Sequence, residues 1–381
     1  MRDFTFIHGP RLLSGAGRSI EVAERLPAGP VLFVTDAQVR RLGLPAACLD
    51  ALAESGREPI LFDSVEADPS QSTLLAAVEI GRAAGVASVV GFGGGSPMDV
   101  AKLAAYLLGS GDDLDSIWGV GLATGKRLPL ALIPTTAGTG SEATPVAVIT
   151  VEGAEKRGVN SPALIADWAV LDAGLTLGMP RALTAATGID AIVHAVEAYT
   201  SAKAKNPISD LYAREALRLL SANLMIVCEE PLHQVARGAM LLGAHLAGLA
   251  FANAPVAGVH ALAYPLGGLH HLAHGLSNAL MLRHVLAFNA EAARQEYAEL
   301  AEVMDPECSA LGTQAKAALL IERLEQLVTA SGLAPRLRDH GISFDKAPLL
   351  AREAMKQQRL LVNNPVEIRE VDAQRLYEAA W

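Results

Sequence analysis

Residues 188–199, GIDAIVHAVEAY, place an aspartate and a histidine four positions apart in an otherwise apolar segment. On a helix, positions i and i+4 stand one above the other, so Asp190 and His194 share a face, and two ligands at that spacing can grip one metal ion. The same spacing also makes an ordinary Asp–His hydrogen bond, so the metal reading needs further ligands. Downstream, GVHALAYPLGGLHHLAHGLSN supplies His260, His270, His271 and His274. A carboxylate with several imidazoles suits Fe²⁺ or Zn²⁺, with affinity order alone favouring zinc.

A second chemistry is written in glycine. In VVGFGGGSPMDVAK an apolar, β-branched run meets Gly93, Gly94 and Gly95, where the backbone can approach a ligand closely. Ser96 is the expected N-cap of the following helix, with Pro97 at its first position and Asp99 three after the cap. The helix start would then present its amides to a pyrophosphate. This is not the GxGxxG fingerprint, and the near-match GAGRSI is an ordinary turn. In IPTTAGTGSEATP, an apolar strand runs into Thr135, Thr136, Gly138, Thr139, Gly140 and Ser141, small hydroxyls on flexible backbone that suit a ribose, phosphate or carboxamide. Asp36 closes the run VLFVTD, where an acid either accepts from an adenosine ribose, favouring NAD over NADP, or simply caps the next helix.

The elements that must carry these residues come in two kinds. Up to about residue 180, short strand-like runs alternate with helical patterns (VLFVTD then AQVRRLG, ASVVGFGGG then SPMDVAKLAAYLL), the rhythm of a parallel sheet covered by helices. From MPRALTAATGIDAIVHAVEAY onward only helix-period segments remain, and Pro180 marks a helix start. The expected fold is therefore an α/β, Rossmann-like nucleotide-binding domain over 1–179 followed by an all-helical metal-binding domain over 180–381. The 381 residues are 51% hydrophobic with a formal net charge of −10, which disfavours nucleic acid or an anionic membrane as partner. Cys48, Cys228 and Cys308 lie far apart with no CxxC spacing, and MRDFTFIHGP lacks a signal-peptide core, so a reducing cytoplasm is expected. Between Arg237 and Arg283 there is no Lys, Arg, Asp or Glu. Its longest unbroken piece, GAMLLGAHLAGLAFA, falls short of the roughly 20 residues of a membrane span, so buried helices are expected there.

Taken together, GGGSPMDVAK, IPTTAGTGSE, TAATGIDAIVHAVEAY, GVHALAYPLGG, HGLSNA and NNPVEIREVDAQRLYEAA resemble, in order and along nearly the whole chain, the iron-activated (group III) alcohol dehydrogenases. The resemblance implies a metal, Fe²⁺ or Zn²⁺, held by Asp190, His194, His260 and His274. It implies NAD(H) contacts from Gly94 to Ser96, from Asp99, from the Thr135–Ser141 loop and from Lys156. It also implies a substrate between the two domains, a homodimer or larger oligomer, and reversible oxidation of a small primary alcohol to an aldehyde. Rival expectations are polyol or hydroxyacid oxidation, hydroxyacid-oxoacid transhydrogenation on the same scaffold, and an idle nucleotide-binding or filament-forming protein. Two positions depart from the family pattern: Tyr264 stands where many members have a second histidine four after the first downstream ligand, and HHLAHG replaces an aromatic-proline approach to the last ligand. The proton-relay candidates are therefore Tyr264 and His271, with the cofactor ribose hydroxyl a third.

Overall fold

The computed structural model describes residues 3–151 and 156–381. The chain divides into two compact units, one comprising Ile7–Leu177 and the other comprising Gly178–Trp381 with an N-terminal segment ending at Phe6.

In the first unit the strands are β1 (Arg11–Ser14), β2 (Val31–Val34), β3 (Pro59–Phe62), β4 (Ser88–Gly93), β5 (Gly119–Val120), β6 (Leu130–Pro134), β7 (Val146–Thr150), β8 (Lys156–Asn160) and β9 (Trp168–Leu171). Six of them form one sheet in the order β1-β9-β6-β4-β2-β3, parallel throughout. β2, β4 and β6 are buried along their whole length, and alternate side chains serve opposite faces. Val31, Phe33, Val90, Phe92, Ala131 and Ile133 join one apolar cluster, whereas Leu32, Val34, Val89, Leu130 and Leu132 join the other. Such a sheet requires helical cover on both faces, which explains the near-continuous apolar runs. The helices are α1 (Val22–Arg25), α2 (Ala37–Arg41), α3 (Ala46–Glu54), α4 (Gln71–Ala83) and α5 (Gly95–Ser110). β5, β8 and β7 form a small separate sheet.

The strand order fixes where a ligand can enter. The chain leaves β2 toward β3 on one side and leaves β4 toward β6 on the other. The connections after β2 and β4 therefore diverge, which opens a crevice at the carboxyl ends of these two neighbours. Asp36 follows the first of those strands and the triple glycine ends the second.

In the second unit the described residues from Gly178 onward contain helices but no strand: α6 (Arg181–Thr200), α7 (Pro207–Glu229), α8 (Gln234–Asn253), α9 (Gly258–His270), α10 (His274–Asn289), α11 (Arg294–Met304), α12 (Thr313–Ser331), α13 (Ala347–Ala354), α14 (Gln358–Leu361) and α15 (Glu370–Ala380). α8 corrects the sequence reading: it runs 20 residues, long and apolar enough to meet the length of a span, yet more than half of it is buried in packing against α6 and α7. The helix starts upstream of that apolar piece and runs through Arg237, whose buried guanidinium donates to the Pro231 and Val227 carbonyls and the Thr184 hydroxyl.

Candidate functional site

α6 carries Asp190, His194 and Glu197 on one face, at i, i+4 and i+7, and all three are buried. α9 delivers His260 from its first turn, and α10 begins at His274. The helices meet closely because Gly275 lacks a side chain: a Cβ there would lie 2.1 Å from the Ala186 carbonyl oxygen of α6 and 3.3 Å from Asp190 Cβ. The approach of α9 is set from the C-terminal segment. Asn363 Nδ2 donates to the Val256 carbonyl at 3.1 Å, and Asn364 exchanges amide hydrogen bonds with Asn289 on α10. The NNP motif is thus a clasp behind the site.

The four donor atoms of Asp190, His194, His260 and His274 lie within 4.8 Å of one another. Asp190 Oδ1 stands 3.9, 3.8 and 3.6 Å from Nε2 of His194, His260 and His274 respectively. Ligands bonded at about 2.1 Å to a tetrahedral ion are separated by about 3.4 Å, so shifts of a few tenths of an ångström bring this set onto a metal. The donor chemistry also fits, with three neutral imidazoles and one carboxylate suiting a borderline divalent ion.

A second layer decides which imidazole nitrogen faces inward. His260 Nδ1 lies 2.7 Å from Glu197 Oε2, and the same carboxylate accepts from the Ala257 and Val259 backbone amides at 2.9 and 2.6 Å. With Nδ1–H donating to Glu197, the Nε2 lone pair of His260 is left for the ion. Those two amides also belong to the first turn of α9, so one carboxylate both caps the helix and fixes the ligand's tautomer. Asn278, one turn after His274, donates to Asp190 Oδ1 at 2.6 Å. His194 stacks on Phe251 and His260, with ring centroids 4.4 and 4.7 Å away. Burial pushes the Asp190 carboxyl up, but the three imidazoles and the Asn278 amide outweigh it and hold it below its usual range.

Tyr264 follows His260 by one turn on α9, and its ring centroid is 5.7 Å from that of His274. Burial raises its phenol above the usual value, the Arg359 guanidinium beside it opposes this, and the Asp190 charge adds to the rise. His271 is exposed at the C-cap of α9 with left-handed backbone (φ 55°), a residue along from the buried Nε2 of His270. Tyr264 is thus brought beside the ligand set, and His271 is on the helix's solvent end.

The glycine cradle belongs to the first unit. Gly93 has φ 150°, and a side chain there would meet the Pro97 ring at 2.8 Å. The helix begins at Gly95, with Gly94 at the cap and no side-chain cap hydrogen bond, which corrects the expectation of Ser96 as N-cap. Extended backbone at Gly94 turns the chain into α5 unaided, leaving the first amides without a capping side chain. Gly95 abuts the Thr139 side chain, with an added Cβ 3.0 Å from Cγ2, and Gly94 faces Thr136, so the two predicted loops line one surface. Thr135 is buried at the end of β6, its amide bonded to the Gly93 carbonyl at 2.9 Å.

Asp99 is committed to the protein. Its oxygens accept from the Ser141 hydroxyl at 2.6 Å and the Val148 amide at 3.0 Å, and Lys102 lies 3.6 Å away. Lys102, absent from the sequence reading, is fully buried and donates to Ser141, Thr144 and the Val146 carbonyl. Burial lowers its ammonium below the usual range, against the opposing charges of Asp99 and Glu142. The pair is a strut that ties α5 to the Thr/Gly loop. Asp36 caps α2 through Oδ1, accepting from Gln38 and Val39 at 2.9 and 2.8 Å, while Oδ2 faces Gly93. Lys156 is ion-paired with Asp68 at 2.6 Å.

Comparison with known proteins gives one consistent picture. The model of the iron-containing alcohol dehydrogenases matches residues 9–173, and that of the C-terminal part of the Fe-containing alcohol dehydrogenase family matches residues 184–381. The chain is 39% identical to long-chain-alcohol dehydrogenase 1 of Geobacillus thermodenitrificans over 361 residues, covering 94% of this chain and 91% of that protein. It superposes on the crystal structure of a 1,3-propanediol oxidoreductase with a TM-score of 0.96 at 34% identity, and both chains are covered in full. The sulfoacetaldehyde reductase of Bifidobacterium kashiwanohense, solved in complex with NAD⁺, gives a TM-score of 0.88 at 27% identity over 100% of this chain and 99% of that one.

Proposed function

Because the chain belongs to the iron-containing alcohol dehydrogenase family, we propose that it interconverts small primary alcohols and aldehydes with NAD(H) and a divalent ion, Fe²⁺ in the native enzyme. The observation that carries this reading is the Asp190–His194–His260–His274 set with the His260 tautomer fixed by Glu197. When bound, the ion supplies Lewis-acid polarisation of the substrate oxygen and the nicotinamide supplies the hydride acceptor or donor.

The chain's own residues do the rest. Glu197 and Asn278 hold His260 and Asp190 in the orientation that keeps their lone pairs convergent. Phe251, stacked on His194, gives that side of the site an apolar wall. Tyr264 keeps its proton at neutral pH, because burial holds the phenol above its ordinary value. It is therefore the group that can hold or return a proton at the substrate oxygen, in preference to the exposed His271. In the other unit, the uncapped first turn of α5, the Thr136 and Thr139 side chains and Asp36 Oδ2 beside Gly93 would hold the cofactor phosphates and ribose. Lys156, ion-paired with Asp68, is part of the same proposal as a cofactor contact. A cytoplasmic enzyme fits the buried free thiols of Cys48, Cys228 and Cys308, and a homodimer or larger assembly is part of the proposal, to be read by light scattering.

The test is NADH oxidation by chelator-stripped protein, with and without anaerobic Fe²⁺, over a panel of short aldehydes. Turnover restored by metal supports the reading. Folded protein that takes up metal and NADH yet turns over no aldehyde refutes it.

A further inference from the structure

We propose that Asn278 is a positioning residue that competes with the metal ion: its amide ties His260 to Asp190 in metal-free protein and releases His260 when the ion enters, so that it preforms the site and tempers its affinity. This rests on the metal-dependent reading above and deepens it.

The geometry is that of one amide nitrogen set among the ligand atoms. Asn278 is fully buried on α10, one turn beyond His274. Its Nδ2 lies 2.6 Å from Asp190 Oδ1, 3.1 Å from His260 Nε2 and 3.4 Å from His274 Nε2. Two amide protons serve the two shorter contacts, and the longest shares them. The orientation of the amide is forced, because its oxygen turned inward would set one acceptor against a carboxylate and an imidazole lone pair. Oδ1 is instead left buried without a partner. The side chain thus gives up a hydrogen bond on its oxygen in order to serve the ligand atoms with its nitrogen. Among the described residues, no other hydrogen bond reaches Asp190 Oδ1 or His260 Nε2.

The two acceptors differ in what they can share. A carboxylate oxygen has two lone pairs, so Asp190 Oδ1 can accept from the amide and bind an ion at once. An imidazole nitrogen has one lone pair in the ring plane. With the His260 proton held on Nδ1 by Glu197, Nε2 serves either the amide or the ion. Metal entry therefore breaks the Asn278–His260 bond and spares the Asn278–Asp190 bond. This gives the loss of Asn278 a definite sign. Removing the amide takes both hydrogen bonds from metal-free protein but only the Asp190 bond from loaded protein, so the Asp190 bond cancels and metal binds more tightly. A residue that only orients a ligand does the opposite, weakening metal binding when it is lost.

The experiment is a chelator-competition titration with Zn²⁺ on wild type, Asn278→Ala and Asn278→Leu, the last keeping most of the side-chain volume. One net hydrogen bond predicts that both variants bind Zn²⁺ about 2- to 10-fold more tightly than wild type. In melts, the loss relative to wild type should be larger in excess chelator than in the Zn²⁺-loaded protein. Affinity that is unchanged or weaker in folded variants overturns the proposal, assigns Asn278 to packing or to orientation alone, and leaves the dehydrogenase reading standing. A second readout uses wild type alone, labelled with ¹⁵N-asparagine and with the Asn278 amide assigned by its contacts to the His260 ring. Zn²⁺ should move one of its two amide protons upfield, as the bond to His260 is lost, and leave the proton on Asp190 hydrogen-bonded. Two protons that do not respond to Zn²⁺ uptake overturn the proposal whatever the variants do. Folded wild type that takes up no divalent ion removes this proposal and the metal-dependent reading together.

Discussion

Gly275→Ala is the smallest change that should disable the metal site. The added methyl would lie 2.1 Å from the Ala186 carbonyl oxygen and 2.7 Å from its carbon, both backbone atoms of α6. Non-bonded heavy atoms settle at about 3.5–4.0 Å, so α10 must retreat from α6 by more than about 1 Å. Backbone has no rotamer with which to yield. The carbonyl in question is the one that accepts the Asp190 N–H in the helix ladder, and His274 is the residue before the glycine. The displacement therefore falls between two ligands whose positions a metal tolerates to about 0.2 Å. Overpacking of this kind costs about 1–3 kcal/mol of stability, and affinity for Fe²⁺ or Zn²⁺ should fall by at least about 100-fold, as the bond geometry of two ligands is lost together. Chelator-competition titration measures the affinity, and a melt in excess chelator isolates the packing cost. Wild-type affinity in a variant with an unchanged melting temperature would show that the helices are not held in contact as described.

Other perturbations address single layers. Glu197→Gln removes at least one of three hydrogen bonds to a buried oxygen pair and should weaken metal binding about 10- to 100-fold, read by the same titration. Asp99→Ala leaves Lys102 buried without its carboxylate and should cost about 3–5 kcal/mol in denaturant unfolding, with NADH affinity falling as the Ser141 loop loosens. His284 is a base whose folded pKa is lowered from 6.5 to about 4, by burial first and then by Arg283. The unfolded chain takes up that proton first, so stability is complete above pH 6.5 and declines as pH falls toward about 4, by at most about 3 kcal/mol. His284→Gln should flatten that acid limb in pH-dependent melts.

Much of this was written locally. Burial of β2, β4 and β6 on both faces makes apolar runs that no amphipathic helix shares, and Asp190 and His194 announce themselves by spacing. The supporting layer was also within reach: Glu197 is three residues beyond His194, and Asn278 and Lys102 stand four and three beyond His274 and Asp99. Their types, however, are common on helix surfaces, and only packing shows that they point inward. Where the reading erred, a backbone or long-range effect won. At the α5 start, glycine torsions replaced the Ser96 cap. At α8, carbonyls from α7 and its following turn absorbed Arg237 and let the helix start at Gln234.

The buried polar face of α6 makes sense only as a unit. A carboxylate taken alone into an apolar helix bundle is heavily penalised, and so is a second one about two turns away. Here each carboxylate is given work that cancels the penalty: Glu197 satisfies two helix-start amides and one imidazole N–H, and Asp190 takes the Asn278 amide on one oxygen among three imidazoles. The arrangement is asymmetric in a way that matters. Glu197 is saturated by protein donors, whereas the donor atoms of Asp190, His194, His260 and His274 lie within 4.8 Å of one another and share only the two protons of the Asn278 amide, 2.6, 3.1 and 3.4 Å from Asp190 Oδ1, His260 Nε2 and His274 Nε2; a divalent ion can satisfy all four together. An all-apolar replacement would pack at less cost, so selection for stability alone does not build this cluster. Its presence in a helix otherwise rich in alanine, isoleucine and valine argues for chemistry at that point.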